Sequence, residues 1–437
     1  MRLDDLYLWY LGDATPRYVG TLKLVAAGKG VSLHYTADWL SNGFALSEDL
    51  PLVDAEFFPP GRLHANAPRA AGAVDDARPD RWGEKVIRFV DRPKRLSLME
   101  FLYYAGDDRF GALGVSTSHD SYLPRQGGPL PRLAQAQELS EVVAKIEAGD
   151  ALTAIEARII QGGGSPMGGA KPKALIDIDG EQWVIKFVNN EHLDAPLIEH
   201  ATLTLAARAG ISVAQTQVIH LSASNAVAIR RFDRANGKRI HSISAGTAIR
   251  AATAAGSEPE MGYPQLARIL RRIGVTEGDA NLGDAHELFC RMVFNILVDN
   301  TDDHEKNHAL LVVNPTANGR LRLAPAYDVL PTNSGQGYQE FICGADGQAS
   351  TLANAMSQCD AFGLEPAQAA AKVVQVIGVV NTWRAHFESM GVSRSDLNSL
   401  AERIDGDELL RQRQTFDAGE YQGAPPKRKP TSPFRRS

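Results

Sequence analysis

The sequence has few cysteines and no long apolar run. Only three cysteines, Cys290, Cys343 and Cys359, occur in 437 residues, and they form neither a CxxC pair nor an even-numbered set. This usage argues against a disulfide scaffold or a structural zinc site and fits a reducing compartment. No window reaches the roughly 18 uncharged apolar residues typical of a membrane span, and no basic stretch leads into an apolar one at the start. We therefore expect a cytoplasmic protein that makes no membrane contact.

An excess of basic residues is also missing. The chain carries 46 Lys and Arg against 52 Asp and Glu, which gives a net charge of -6. A surface that is basic throughout is thereby excluded, so contact with DNA is expected only through a local patch or a partner. Apolar residues make up 44% and charged residues 22%, an ordinary globular composition. A chain of this length exceeds the usual domain size of about 150 residues and should form two or three parts.

The pattern along the chain divides it into four parts. Residues 1–130 read as short strands separated by turns, which predicts a mostly β module. Residues 131–255 contain the runs KALIDI and WVIKFV around the hairpin dipeptide Asp179-Gly180, followed by a helix and more strands. Residues 256–420 are dominated by helical periodicity, and the basic, proline-containing residues 421–437 are expected to be a disordered tail. The predicted fold class is α+β.

A glycine-rich segment, GGGSPMGGAKPK from Gly162 to Lys173, stands immediately before the hairpin. Glycines such as Gly168 and Gly169 let backbone N–H groups turn toward an anion, and Lys171 adds positive charge. The segment matches neither the Walker A pattern nor GxGxxG. It is therefore either a phosphate-binding loop of another type or a flexible linker.

Lys186 is the only charged residue in the apolar run WVIKFV. A lysine inside a strand is costly unless it is paired or solvated, so an outward-facing position is one interpretation. The other is a kinase-type lysine that grips ATP phosphates and is held by a carboxylate of the next helix. Glu199 lies at a suitable distance along the chain, although Glu181 and Glu191 are also near.

The segment NTDDHEKNH contains Asp302 and Asn307 at the spacing of the kinase motif HRDxxxxN. In that motif the aspartate orients or accepts the proton of an attacking hydroxyl, and the asparagine binds magnesium. Asp328, in PAYDVL, follows a predicted strand and would supply a second magnesium carboxylate. Each acid alone would be read as a solvated turn residue, but with Lys186 they occur in kinase order. The hypothesis is a site for ATP and Mg2+.

The same segment contains a formal HExxH zinc signature at His304, Glu305 and His308. Such a site needs both histidines on one face of a continuous helix and a glutamate as general base. The breaker run before it and the β-branched run after it predict a loop instead. A zinc hydrolase therefore stays an alternative hypothesis, as does a non-catalytic module that senses nucleotide.

The stretch IRRFDR ends the strand that leads out of the smaller β-rich part. As a hinge, Arg231, Phe232 and Asp233 would offer backbone groups to a base, and the Asp233 carboxylate would bond ribose hydroxyls. A salt-bridged turn explains the same residues equally well.

The sequence resembles the HipA-type serine/threonine kinases, the toxins of bacterial toxin–antitoxin pairs, over nearly its whole length. The motifs that carry the resemblance are VGTL, DDARPDRWG, DDRFGAL, GGAKPK, VIKF, RFDR, TDDHEKN and YDVLP. It implies an N-terminal β-rich module followed by a two-lobed, protein-kinase-like body with a largely helical C-terminal lobe.

The resemblance also implies residue roles. Asp302 would be the catalytic acid–base residue, Asn307 and Asp328 would hold magnesium, and Ser165 would be autophosphorylated to inactivate the kinase. The ATP-binding residues would be Lys186, Gly168, Gly169, Arg231, Phe232, Asp233 and His304.

The implied partners are a helix-turn-helix antitoxin of the HipB type, which would supply DNA binding, and a translation protein such as an aminoacyl-tRNA synthetase as substrate. Two positions depart from the family pattern. Asp303 stands where glycine is common, and is expected to add charge beside the catalytic carboxylate. Arg230 stands where relatives have an acid, which should matter less if the hinge uses backbone groups.

Overall fold

The computed structural model describes residues 3–60, 68–162, 171–188, 192–254, 256–316, 320–332 and 334–422. Ser165, Gly168, Gly169 and most of the expected tail 421–437 lie outside these described residues. None of the helices within them combines the length and apolar character needed to cross a membrane.

The N-terminal module is built on a six-stranded sheet. Its strands are β1 (Asp5–Tyr10), β2 (Arg17–Val25), β3 (Gly30–Tyr35), β4 (Glu56–Phe57), β5 (Arg69–Ala70) and β6 (Leu113–Ser116), and its helices are α1 (Ala37–Asn42), α2 (Arg81–Val86) and α3 (Leu98–Tyr104). The strand order is β4-β3-β2-β1-β6, and β5 pairs in parallel with β3. The predicted β-rich module is therefore present, with helices added between its strands.

A second part forms a smaller lobe around a four-stranded antiparallel sheet of order β7-β8-β10-β9. Its elements are α4 (Ala136–Ala148), α5 (Ala154–Gly162), β7 (Lys173–Ile178), β8 (Glu181–Phe187), α6 (Ala195–Arg208), β9 (Thr216–His220), β10 (Asn225–Arg230), β11 (Arg234–Ala235) and β12 (Lys238–Arg239). Asp179 and Gly180 have φ angles of 55° and 82°, the left-handed conformation that a tight hairpin between β7 and β8 requires. The predicted hairpin is confirmed.

The third part is a mainly helical lobe with a three-stranded sheet. Its elements are β13 (Ser242–Ser244), α7 (Ala245–Ala252), α8 (Tyr263–Ile273), α9 (Ala280–Leu297), β14 (Ala309–Val312), β15 (Leu321–Leu323), α10 (Leu352–Met356), α11 (Pro366–Val380), α12 (Trp383–Ser389), α13 (Arg394–Ile404) and α14 (Asp407–Thr415). Strand β13 pairs with β14, so the chain enters this lobe near residue 240 rather than at the expected boundary of 255. Pairing between segments so far apart in sequence leaves no local signal, which explains the difference.

The N-terminal module contacts both lobes. Toward the helical lobe, the Asp76 carboxylate accepts hydrogen bonds from the Ser244 backbone N–H and hydroxyl, each at 2.7 Å. Toward the smaller lobe, Asp80 pairs with Lys173 at 2.8 Å, and the Trp82 indole donates to the Lys173 carbonyl. Trp82 also packs into the apolar core beneath the four-stranded sheet. The module therefore holds the two lobes relative to each other, and the predicted α+β fold class, with a β-rich module and a two-lobed body, is confirmed.

Candidate active site

Lys186 lies on β8 and faces inward, not outward. Its ammonium contacts Glu199 Oε1 at 2.7 Å and Asp328 Oδ1 at 2.6 Å. The side chains of the three residues are only 10%, 5% and 20% exposed, respectively. Of the carboxylates that the sequence left open, the structure therefore pairs Glu199 with Lys186, because α6 packs against the sheet. Glu181 contacts Arg230 instead, and Glu191 lies outside the described residues.

Lys186 and Asp328 each stabilise the ionised form of the other. Burial by itself would lower the pKa of Lys186, but Asp328 and Glu199 raise it above its usual value. Burial would raise the pKa of Asp328, yet Lys186, with Lys173 and Lys171 further away, lowers it to about 2. At neutral pH the site therefore presents a fixed ammonium beside a fixed carboxylate.

The loop after α9 brings Asp302 and Asn307 to the same place. The Asp302 side chain lines the cavity described below and reaches solvent there. Partial burial still raises the pKa of its carboxyl, with Asp328 and Asp303 adding to the effect and His304 opposing it. The Asn307 amide donates weakly to the Asp302 carbonyl, at 3.4 Å. Its Oδ1 is buried and accepts no hydrogen bond from any group in the described parts of the chain.

That unsatisfied oxygen is informative, because a buried acceptor without a donor carries a free-energy cost. Amide and carboxylate oxygens are the ligands that Mg2+ takes in proteins. Asn307 Oδ1 and the Asp328 carboxylate therefore fit a magnesium site. No group of three or more His, Cys, Asp and Glu side chains in the described residues is placed to hold a metal ion, here or elsewhere, so this candidate site consists of one carboxylate and one amide.

These side chains line one large cavity between the lobes, with a volume of about 970 Å³. Of the residues predicted from the sequence, it collects Lys186, Asp302, His304, Asn307 and Asp328. Among the lining residues that sequence reasoning did not connect with the site are Asp80 and Arg81 of the N-terminal module. Both residues lie in the motif DDARPDRWG, which contributed to the family resemblance but to which the sequence analysis assigned no function.

A narrower apolar slot of about 60 Å³ adjoins the cavity, since Lys186 lines both. The slot collects the predicted hinge residues Arg231, Phe232 and Asp233, together with Phe110, Val184, Ile229 and Tyr327. Apolar side chains dominate its walls, as expected of a pocket for a flat, uncharged ring.

The Asp233 carboxylate is not turned toward a ligand. It accepts from Arg231 Nε at 2.9 Å, from Arg234 Nη1 at 3.0 Å and from the Gly111 backbone N–H at 2.7 Å. Burial would raise the pKa of Asp233, but the two guanidinium groups hold it well below its usual value. The contacts match the salt-bridged turn that the sequence left open rather than a carboxylate available to ribose.

The HExxH signature does not form a zinc site of the expected kind. His304 to His308 lie in a turn between α9 and β14, not on a helix. His304 lines the cavity, whereas His308 is buried against Phe341 with ring centroids 5.5 Å apart. The two histidines share no helical face, which removes the geometric basis of the zinc hypothesis.

Asp303 lies in a buried polar network behind the site. It is 1% exposed, and its Oδ2 contacts His308 Nε2 at 2.7 Å and accepts a hydrogen bond from the Tyr263 hydroxyl. The Asp303 carboxylate nevertheless contributes to raising the pKa of Asp302, in line with the charge that the sequence predicted there. Arg230 lies at the surface, paired with Glu181.

This network changes what is expected of His308→Ala. From the sequence, His308 is the first residue of a strand and not a metal ligand, so His308→Ala is expected to keep activity. In the structure the change removes one of the two groups that contact Asp303 Oδ2, while Tyr263 remains. Loss of a buried hydrogen-bond partner costs about 1–3 kcal/mol. We expect a loss of that size in the free energy of unfolding, measured by urea denaturation.

The control is His220→Ala, at an exposed position of β9, which should leave stability within about 0.5 kcal/mol of the parent, as is usual for surface substitutions. Equal stability of the His308 variant and the parent would contradict the role given to the Asp303–His308 contact.

The fold and the site define a kinase-like, two-lobed protein with an added N-terminal module. A family model described as the HipA-like C-terminal domain matches residues 165–383, half of the chain, and a model described as the HipA N-terminal domain matches residues 13–116. The chain belongs to the HipA family. The resemblance of the sequence motifs is thereby confirmed.

Two relatives and a solved structure agree with this placement. The serine/threonine-protein kinase toxin HipA of Shewanella oneidensis is 22% identical over 366 residues, which cover 76% of each chain. The protein Y4dM of Sinorhizobium fredii, which carries a provisional kinase name, is 28% identical over 167 residues, or 35% of this chain and 38% of that protein. The Shewanella oneidensis HipA structure, solved with HipB and operator DNA, has a TM-score of 0.64 at 16% identity, covering 96% of this chain and 100% of that chain.

Proposed function

We propose that the protein is a Mg-ATP-dependent serine/threonine protein kinase that acts as a growth-inhibiting toxin. The observation that carries the proposal is the Lys186 cluster with Glu199 and Asp328, placed beside the unsatisfied Asn307 Oδ1. A lysine–glutamate pair, a magnesium carboxylate and a magnesium asparagine are the recurring parts of kinase sites.

In the proposed reaction each residue has one task. The apolar slot receives the adenine ring, the backbone of residues 231–233 borders it, and Lys186 holds the phosphates. Asp302 orients the substrate hydroxyl and accepts its proton, while the hydroxyl oxygen bonds to the γ-phosphorus and the bond to the β-phosphate oxygen breaks. Asn307 and Asp328 would hold magnesium, which when bound neutralises charge on the phosphate oxygens. His304 lies on the same cavity wall, within reach of the nucleotide.

The proposed partners follow from the family and from the charge of the chain. The solved Shewanella oneidensis relative is a complex with HipB and operator DNA. A helix-turn-helix antitoxin of that kind would supply the DNA contact that a chain of net charge -6 does not favour. A translation protein such as an aminoacyl-tRNA synthetase is the proposed substrate. The cytoplasm, where the unpaired thiols of Cys290, Cys343 and Cys359 stay reduced, is the proposed compartment.

We propose control by phosphorylation of Ser165, with Gly168 and Gly169 in the same phosphate-binding loop. A phosphoserine brings close to two negative charges into a segment meant to receive anionic phosphates, so it should exclude ATP. Incubation with magnesium and ATP should add one phosphate at Ser165, identified by mass spectrometry, as activity on an added substrate declines.

The matched control is Ser165→Ala, which should stay unmodified and retain activity for longer. Full inactivation with phosphate only at other positions would contradict the assignment of Ser165. ATP binding without any phosphate transfer, to itself or to cell proteins, would favour a nucleotide-sensing module over a kinase.

A further inference from the structure

The apolar slot draws one aromatic ring from each part of the molecule. Phe232 comes from the hinge, and Tyr327 precedes Asp328 in the helical lobe, with their ring centroids 5.2 Å apart. The third ring is that of Phe110, in the DDRFGAL motif of the N-terminal module, and it meets Phe232 edge to face at 6.3 Å. The slot is therefore incomplete without a residue that lies outside both lobes.

The backbone on either side of Phe110 is fixed by the hinge. The carbonyl of Arg109 accepts from Arg231 at 2.8 Å and from Arg234 at 2.9 Å. On the other side, the Gly111 N–H donates to Asp233 and the Gly111 carbonyl accepts from Arg234 at 2.9 Å. Charge-assisted hydrogen bonds of this kind are strong and directional, so they set the position of the ring between them.

The module side of the same loop is fixed as well. The buried Arg109 guanidinium donates to the carbonyls of Ala77 at 3.0 Å and Leu102 at 2.9 Å, both within the module. Gly111 has a φ of 73°, and a Cβ there would meet the Ser242 backbone N at 3.2 Å. Phe110 is thus carried on a loop held from both sides, as expected of a side chain that must be placed accurately.

We propose that Phe110 is a nucleotide-binding residue that contacts the adenine ring, so that the N-terminal module forms part of the ATP site. The inference rests on the proposed kinase function and adds a residue to its base pocket. It also explains the Asp233 ion pairs, because the residues that form them connect the hinge to the loop that carries Phe110.

In this proposal, different residues bind the two ends of ATP: Phe110 contacts the adenine base, and Lys186 contacts the phosphates. Aromatic rings that pack on a base contribute binding energy whatever happens at the phosphates. Loss of the ring should therefore weaken ATP but not inorganic tripolyphosphate, which lacks a base.

The experiment uses the full chain with Phe110→Ala and Phe110→Leu. We expect Phe110→Ala to raise the dissociation constant of Mg-ATP about tenfold, equivalent to about 1.4 kcal/mol. Phe110→Leu, which keeps an apolar side chain, should raise it only about threefold, in line with a smaller loss of contact area. Binding of tripolyphosphate, measured by titration calorimetry, should stay within about twofold of the parent if the phosphate grip is intact.

The matched control is Phe101→Leu, since Phe101 is a buried phenylalanine of the same module, 4% exposed against 7% for Phe110, and does not line the slot. It should leave ATP affinity unchanged. An unchanged ATP affinity in Phe110→Ala, or equal weakening of ATP and tripolyphosphate, would overturn the role of Phe110. A parent protein that binds neither ligand would instead remove the proposed nucleotide site itself.

Discussion

Asp302→Asn should lower the rate of phosphoryl transfer by roughly 100- to 10,000-fold, the usual contribution of a positioned general base. Asparagine has nearly the same shape as aspartate but cannot accept the hydroxyl proton. The affinity for Mg-ATP should change little, because the groups proposed to grip the nucleotide are Lys186, Asn307 and Asp328. The measurement pairs the rate of phosphate transfer from labelled ATP with a separate titration of nucleotide binding.

The Asp302 side chain is exposed to solvent, so its replacement by asparagine should not destabilise the fold and the change in rate can be assigned to the reaction. Asp346→Asn is the matched control, because Asp346 is an exposed aspartate of the same lobe that does not line the cavity. Transfer rates that are equal in Asp302→Asn and the parent would take the base role away from Asp302.

The second large effect is expected for Asp328→Asn. Asp328 has a φ of 57°, and asparagine tolerates this left-handed conformation better than alanine does, so it is the substitution that preserves the backbone. The loss of the anionic ligand should weaken Mg-ATP binding at least about tenfold, which corresponds to about 1.4 kcal/mol. Lys186 retains Glu199 at 2.7 Å, so the cluster keeps one ion pair and the lobe should stay folded.

A magnesium titration gives this prediction its control. The difference between Asp328→Asn and the parent should shrink when magnesium is removed by a chelator, because the carboxylate is proposed to act through the metal. Asn307→Ala should show the same dependence with a smaller loss, since a neutral amide is a weaker ligand than a carboxylate. ATP affinities that stay equal to the parent at every magnesium concentration would count against both assignments.

Local sequence signals predicted the elements that carry the site. Asp179-Gly180 predicted the hairpin that carries Lys186, and Pro196 with the run of helix formers predicted α6 and hence Glu199. These signals are reliable because a positive φ or a missing N–H constrains the backbone at the residue itself.

The partner of Lys186 required the tertiary structure. Glu181 and Glu191 lie five positions from Lys186 along the chain, whereas Glu199 lies 13 positions away. Distance along the chain therefore does not select Glu199, but the packing of α6 against the sheet does. The position near residue 240 where the chain passes from the smaller lobe to the helical lobe also required the tertiary structure. It depends on the pairing of β13 with β14, a strand about 65 residues further along the chain.

The sequence by itself determined the family, the fold class and the order in which Lys186, Asp302, Asn307 and Asp328 follow one another, because short motifs and their spacing are properties of the chain. Only the tertiary structure decided which polar side chains face the cavity and which face the core. Asp303 and Asp302 are neighbours in sequence, yet one is buried against His308 and the other lines the cavity. The direction of a side chain in a turn depends on the elements packed around it, and a one-dimensional pattern does not contain those distances. The place of Phe110 at the hinge was settled in the same way, by hydrogen bonds to residues more than 100 positions further along the chain.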